Sequence, residues 1–122
     1  MIVTGLMHGT PSAFDAFDPS MIGSTTSGVE ADEMGFFLTR RRRTAMRYAT
    51  GPEGRIVHAT IRPRNPVVVT GAQWGAGEGP SPREAADAGH DCYVVRPYDD
   101  GPMWLVLDPT IIEMTSVEKV RP

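Results

Sequence analysis

The residues able to do chemistry are few and scattered. His8 follows the apolar stretch Ile2 to Met7 and precedes Gly9, Thr10 and Pro11. A ring that can donate or accept a hydrogen bond therefore stands where regular structure gives way to a turn. By residue type alone, such a histidine is either satisfied by backbone at a strand end or part of a pocket, and both readings stay open. Arg40, Arg41, Arg42 and Arg43 form a run of four cations. At a helix start they repel one another and oppose the macrodipole, at a cost of about 0.3 to 1 kcal/mol each. The run is either a solvated surface stretch or an anion site, for a diphosphate, an acidic protein or a nucleic acid. His58, His90 and Cys92 complete no zinc-ligand spacing with His8, so no metal is expected. Cys92 lies within a strand pattern and reads as an inert buried thiol, and Asp91 reads as a structural turn residue.

The elements that must position these residues can be outlined from periodicity and turn formers. Ile2 to Met7 is a first strand, and Phe14 and Phe17 share one face of a short helical turn. Pro19 to Glu33, rich in Ser, Thr and Gly, is a loop. Gly35 to Thr39 is a short buried strand, with Thr39 the N-cap of a helix from Arg40 to Thr50 that Gly51-Pro52 stops. Arg55 to Arg62 alternates as a strand, with Ile56, His58 and Thr60 on one side and Val57, Ala59 and Ile61 on the other. After a kink at Pro63 to Pro66, Val67 to Thr70 resumes as strand, and Gly71 to Pro82 is a glycine-rich loop. Ser81 and Glu84 form a capping box for a helix from Pro82 to Ala88, stopped by Gly89. Cys92 to Val95, a turn at Tyr98-Asp99-Asp100-Gly101, Met103 to Leu107 and Ile111 to Met114 are hairpin-linked strands.

The chain has 122 residues, room for a single domain and one core. It contains 13 glycines and 11 prolines, a turn-rich composition that favours short strands over a helix bundle. The class is α+β. A formal net charge of −3 excludes a general attraction for nucleic acid or anionic lipid. No apolar run approaches the ~20 residues of a membrane span, and one cysteine allows no intrachain disulfide, so a cytoplasmic protein without a membrane partner is expected.

The order of the pieces carries more. Leu6-Met7-His8-Gly9-Thr10, Phe14 and Phe17, a Gly/Ser-rich loop, Gly35-Phe36-Phe37-Leu38-Thr39 and Ala45-Met46-Arg47-Tyr48-Ala49 follow one another, with Gly89-His90-Asp91 and Trp104-Leu105-Val106-Leu107-Asp108-Pro109 later. This succession resembles the ADP-ribosyltransferases of the diphtheria-toxin and poly(ADP-ribose) polymerase type, and among them the small bacterial and phage polyvalent-protein branch. The resemblance implies a split, mostly antiparallel pair of sheets with one or two short helices and an NAD cleft between them. It implies an NAD-dependent mono-ADP-ribosyltransferase, a phage or toxin-type effector with a macromolecular target, protein foremost. The bond broken would be that between nicotinamide and ribose, through a transition state of oxocarbenium character, which needs alignment and charge stabilisation more than acid or base.

Residue by residue, the resemblance assigns His8 to the adenosine ribose and the backbone of Gly9 to the nicotinamide amide, where a side chain would block the approach. Thr10 belongs to the same binding segment. Phe37 and Tyr48 would stack on the nicotinamide ring, each contact adding about 0.5 to 1.5 kcal/mol beyond area burial. His8, Gly9, Phe37 and Tyr48 are thus expected in one cleft. His8 and Tyr48 are also carried over as catalytic, and Met103 falls where most active members keep a glutamate on the ribose 2′-hydroxyl. A methionine accepts no such bond, and Phe37 replaces a more usual tyrosine. Two alternatives follow, a degenerate binding module of the same fold and an RNA 2′-phosphotransferase-like enzyme. Arg40 to Arg43 stays open between a solvated run and the surface for an acidic partner.

Overall fold

The computed structural model describes residues 2–11, 35–98 and 101–120. The first strand, β1 (Val3–Thr10), runs on through His8, Gly9 and Thr10 where the sequence led us to end it at Met7. The neighbouring strand β3 (Arg55–Ile61) supplies the reason, pairing His8 with Val57, Gly9 with Ile56 and Thr10 with Arg55. A ladder partner outweighs the weak strand preference of glycine. Strand β2 (Phe36–Thr39) is where the short apolar run placed it.

Helix α1 is shorter than expected, Arg42–Met46 in place of Arg40 to Thr50. Its N-cap is Arg41, which makes no side-chain cap, while the Thr39 hydroxyl accepts the Arg41 N–H one step earlier at 3.0 Å. With crowded arginines and no acid in its first turn, the segment lacks what would extend it. Tyr48 and Ala49 instead donate to the carbonyls three residues back, at Ala45 and Met46. Beyond β4 (Pro66–Thr70), the stretch expected to be a loop contains helix α2 (Gly71–Ala76), nucleated by a Thr70/Gln73 capping box that its glycines obscured. Helix α3 (Pro82–Asp87) has the expected Ser81/Glu84 box, and the described residues hold three α-helices where one or two were expected. Strands β5 (Cys92–Tyr98) and β6 (Gly101–Val106), a 3₁₀ turn (Pro109–Ile111) and β7 (Ile112–Lys119) complete the order. Strand β7 outruns the expected Ile111 to Met114 because it pairs along all of β3, from Ile61↔Ile112 to Arg55↔Lys119. Phe14, Phe17, the Pro19 to Glu33 loop, Asp99 and Asp100 lie outside the described residues.

The sheet order is β4-β5-β6-β2-β1-β3-β7, with β4 and β5 parallel and every other neighbour antiparallel. Its strands are bonded unevenly. β2 pairs with β6 at every one of its residues, and β1 pairs with β3 from end to end apart from a bulge between Val3 and Leu6. Between β2 and β1 the register holds a single pair, Met7↔Thr39. The strands form one seven-stranded sheet of an α+β fold, in place of the split pair expected, and two parts of it, β4-β5-β6-β2 and β1-β3-β7 (half-sheets below), meet at a narrow joint.

One face of the sheet carries the helices. Tyr93, Val95, Met103 and Leu105 bury there with Val69 and with Ala85 of α3, and Phe37 and Trp74 of α2 pack against them. Met7 and Ile56 pack on the same face against Ala45 and Ala49, at and just after α1. The opposite face buries Leu6, Leu38, Cys92, Val94, Trp104 and Val106. Arg40 staples the joint. Its Nε donates to the Thr4 carbonyl of β1 at 3.1 Å, and its guanidinium lies 5.3 Å from the ring centroid of Trp104 on β6.

Asp91 is structural, though not as a local turn. Its carboxylate accepts the Arg64 and Asn65 N–H groups at 2.6 and 3.1 Å, and its carbonyl accepts from Leu107 and Asp108. Three remote segments are tied at one residue.

Candidate functional site

The site is built where β1 and β2 diverge. Beyond the Met7↔Thr39 pair, His8 takes over the link between the strands, because its Nδ1 lies 2.8 Å from the Phe37 carbonyl. A carbonyl oxygen only accepts, so Nδ1 carries the proton. His8 is 8% exposed, and burial lowers its pKa, the bond to Phe37 opposing that shift only in part. The neutral ring thus has Nδ1–H pointing to β2 and Nε2 as a hydrogen-bond acceptor. Phe36 meets the imidazole edge-on at 5.7 Å between centroids, fixing its plane.

Gly9 is the second component. A Cβ placed on it would lie 1.8 Å from the Ala45 carbonyl oxygen, so only glycine lets α1 seat on β1. The same carbonyl accepts the Tyr48 N–H at 3.1 Å. Ala45 therefore connects Gly9 to Tyr48, a residue 44% exposed. The close approach that demands a glycine is made by the protein's own helix, and a valine at position 9 would displace α1 as well as obstruct any ligand.

Backbone contacts join the three segments that carry His8, Gly9, Phe37 and Tyr48, but the described geometry does not put the four side chains in the one cleft expected. Their side chains do not all share one face. Strand alternation sends Phe37, with Met7 and the α-carbon of Gly9, to the face bearing α1, while His8, with Leu6 and Phe36, lies on the other. Thr10, buried on β1, points with His8. The narrow joint between the half-sheets lies between these two groups.

Met103 opposes Thr39 on β2 and Val95 on β5, on the Phe37 face, and at 2% exposure is part of the core. Three described carboxylates of the last third have other partners. Asp91 is the clasp, Glu113 pairs with Arg62 at 3.5 Å on the outer strand β7, and Glu118 binds Arg42 and His58. Sequence reasoning missed Glu118, since nothing in the spacing of residues 42, 58 and 118 announces a cluster. The arginine run is partly engaged within the chain, Arg40 at the joint and Arg42 with Glu118.

Cys92 is fully buried, and burial with the neighbouring Asp91 charge pushes its thiol up to about 12, far from a nucleophile. Among the described residues no three His, Cys, Asp or Glu side chains gather to hold a metal ion, and no helix is long and apolar enough to cross a membrane. A concavity of about 140 Å³ between α2 and α3, lined by Trp74, Glu78, Glu84 and Tyr93 among others, includes none of the candidate residues.

A family model described as ADP-ribosyltransferase in polyvalent proteins matches residues 4–101, and the chain belongs to that family. The match takes in β1, α1 and β5 and ends at Gly101, two residues before Met103. A search of curated proteins finds no match.

Proposed function

We propose that this domain binds NAD across the joint and transfers its ADP-ribose to a macromolecular target. The observation that carries the reading is the His8 link. A neutral imidazole with its donor fixed on Phe37 keeps Nε2 as an acceptor, the role required to take a hydroxyl of the adenosine ribose. The resemblance puts the nicotinamide near Phe37 and Tyr48 and the adenosine ribose at His8, while Ala45 already fills the approach to the Gly9 α-carbon. Aromatic faces on both sides would hold the nicotinamide in plane while its bond to ribose lengthens. Catalysis without a glutamate at position 103 would rest on that alignment, with charge stabilisation from backbone dipoles.

The test is incubation with NAD labelled in the adenylate, with a lysate as acceptor and with water alone. Label in a macromolecular fraction, lost in His8→Ala, is the expected result. NAD bound but never cleaved, by wild type and variants alike, would favour the second reading, a binding module. The observation behind that reading is Met103, an apolar core residue where the resemblance places a carboxylate.

A further inference from the structure

Helix α1 has few apolar anchors. It is five residues long, its N-cap Arg41 makes no side-chain cap, and its first turn holds no acid. A single helical turn of this kind does not persist in isolation. Its apolar hold on the sheet comes through Ala45 and Ala49 against Met7, Ile56 and Val120. Alanine offers one methyl group, so such a contact sets height above the sheet better than direction.

Direction is supplied from β7. Glu118 Oε1 accepts from Arg42 Nη1 at 2.9 Å, and its Oε2 accepts from Nη2, a forked bond that fixes the guanidinium plane. His58 Nε2, on β3, donates to the same Oε1 at 3.1 Å. In the ladder Glu118 opposes Ile56, and Ile56 opposes Gly9, so the carboxylate stands two strands from Gly9 on the face that bears α1. One carboxylate joins α1, β3 and β7, and it lies outside the residues matched by the family model.

We infer that Glu118 is a positioning residue, holding α1 through Arg42 in the pose that seats Ala45 on Gly9 and sets Tyr48 at the joint. The inference rests on the reading that this joint binds NAD. The forked pair is half exposed, with side-chain exposures of 52% and 37%, and pairs of that kind add little to global stability. Its loss should shift the helix without unfolding the protein.

The experiment compares the full chain with Glu118→Gln and with the exchanged pair Arg42→Glu/Glu118→Arg. The measurements are the amide resonances of Gly9 and Ala45 without ligand, the melting temperature, and NAD affinity by calorimetry. Glu118→Gln should move both resonances, leave the melting temperature within a few degrees, and weaken NAD binding about tenfold. The exchanged pair should return the resonances and most of the affinity. Unmoved resonances in Glu118→Gln would overturn the inference, as would moved resonances with unchanged NAD affinity, or a melting temperature that collapses with the affinity. A wild type that binds no NAD would defeat the functional reading instead, and the resonances would still decide whether Glu118 holds the helix.

Discussion

His8 is buried neutral, and that has consequences at two pH values. Because its folded pKa lies below the ordinary 6.5, the folded state binds fewer protons than the unfolded one in the interval between them. Stability is therefore complete above 6.5 and falls as the pH drops from there toward the lowered value. Comparing the unfolding free energy of wild type and His8→Asn from pH 7.5 to 5 should show the steeper decline in wild type. Protonation would also turn Nε2 from acceptor to donor, so NAD affinity should hold to a lower pH than 6.5 and then drop. Calorimetry across the same range checks this. Met103→Glu tests the other end of the site. A carboxylate among Val69, Val95 and Leu105 should lower stability by roughly 1 to 3 kcal/mol, as buried polar groups without partners do. If the domain is a weakened transferase, the same variant should raise NAD hydrolysis, read as nicotinamide release.

At the scale of elements, the sequence was most legible where signals were local and least where partners were remote. The Ser81/Glu84 box and Pro82 announced α3, and the alternation of residues 55–62 announced β3 with its two faces. The equivalent Thr70/Gln73 box was hidden by glycines, although it follows the same rule. Strand β1 was cut short at Met7 because only the long-range pairing with β3 reveals that His8, Gly9 and Thr10 continue it. The His8–Phe37 and Arg42–Glu118 contacts span 29 and 76 residues, separations that no periodicity reports. Glu118 gives this scale its pH dependence. Its bonds to Arg42 and His58 hold its carboxyl down at about 2, against the ordinary 4.5. The stability it adds, small because the pair is solvent-screened, is present above 4.5 and lost as pH falls from there through about 2, so acid unfolding of Glu118→Gln should show a slightly shallower slope in that window. Arg40 is the other remote tie. Arg40→Ala removes the Thr4 bond and the Trp104 contact and should lower stability by about 1 kcal/mol, measured by denaturant unfolding.

For the molecule as a whole, the weak place is the joint. Amide exchange should be faster at Met7 and Thr39 than along β5–β6 or β1–β3, and bound NAD should slow it at the joint alone. The order of strands adds something about construction. Following the chain, β1 lies in one half-sheet, β2 in the other, β3 back in the first, β4 to β6 in the second, and β7 in the first again. The backbone passes between the halves four times. Neither half is a continuous stretch of sequence, so neither can be excised, swapped or inherited as a separate module. Four connections also leave no single linker about which the halves could swing apart.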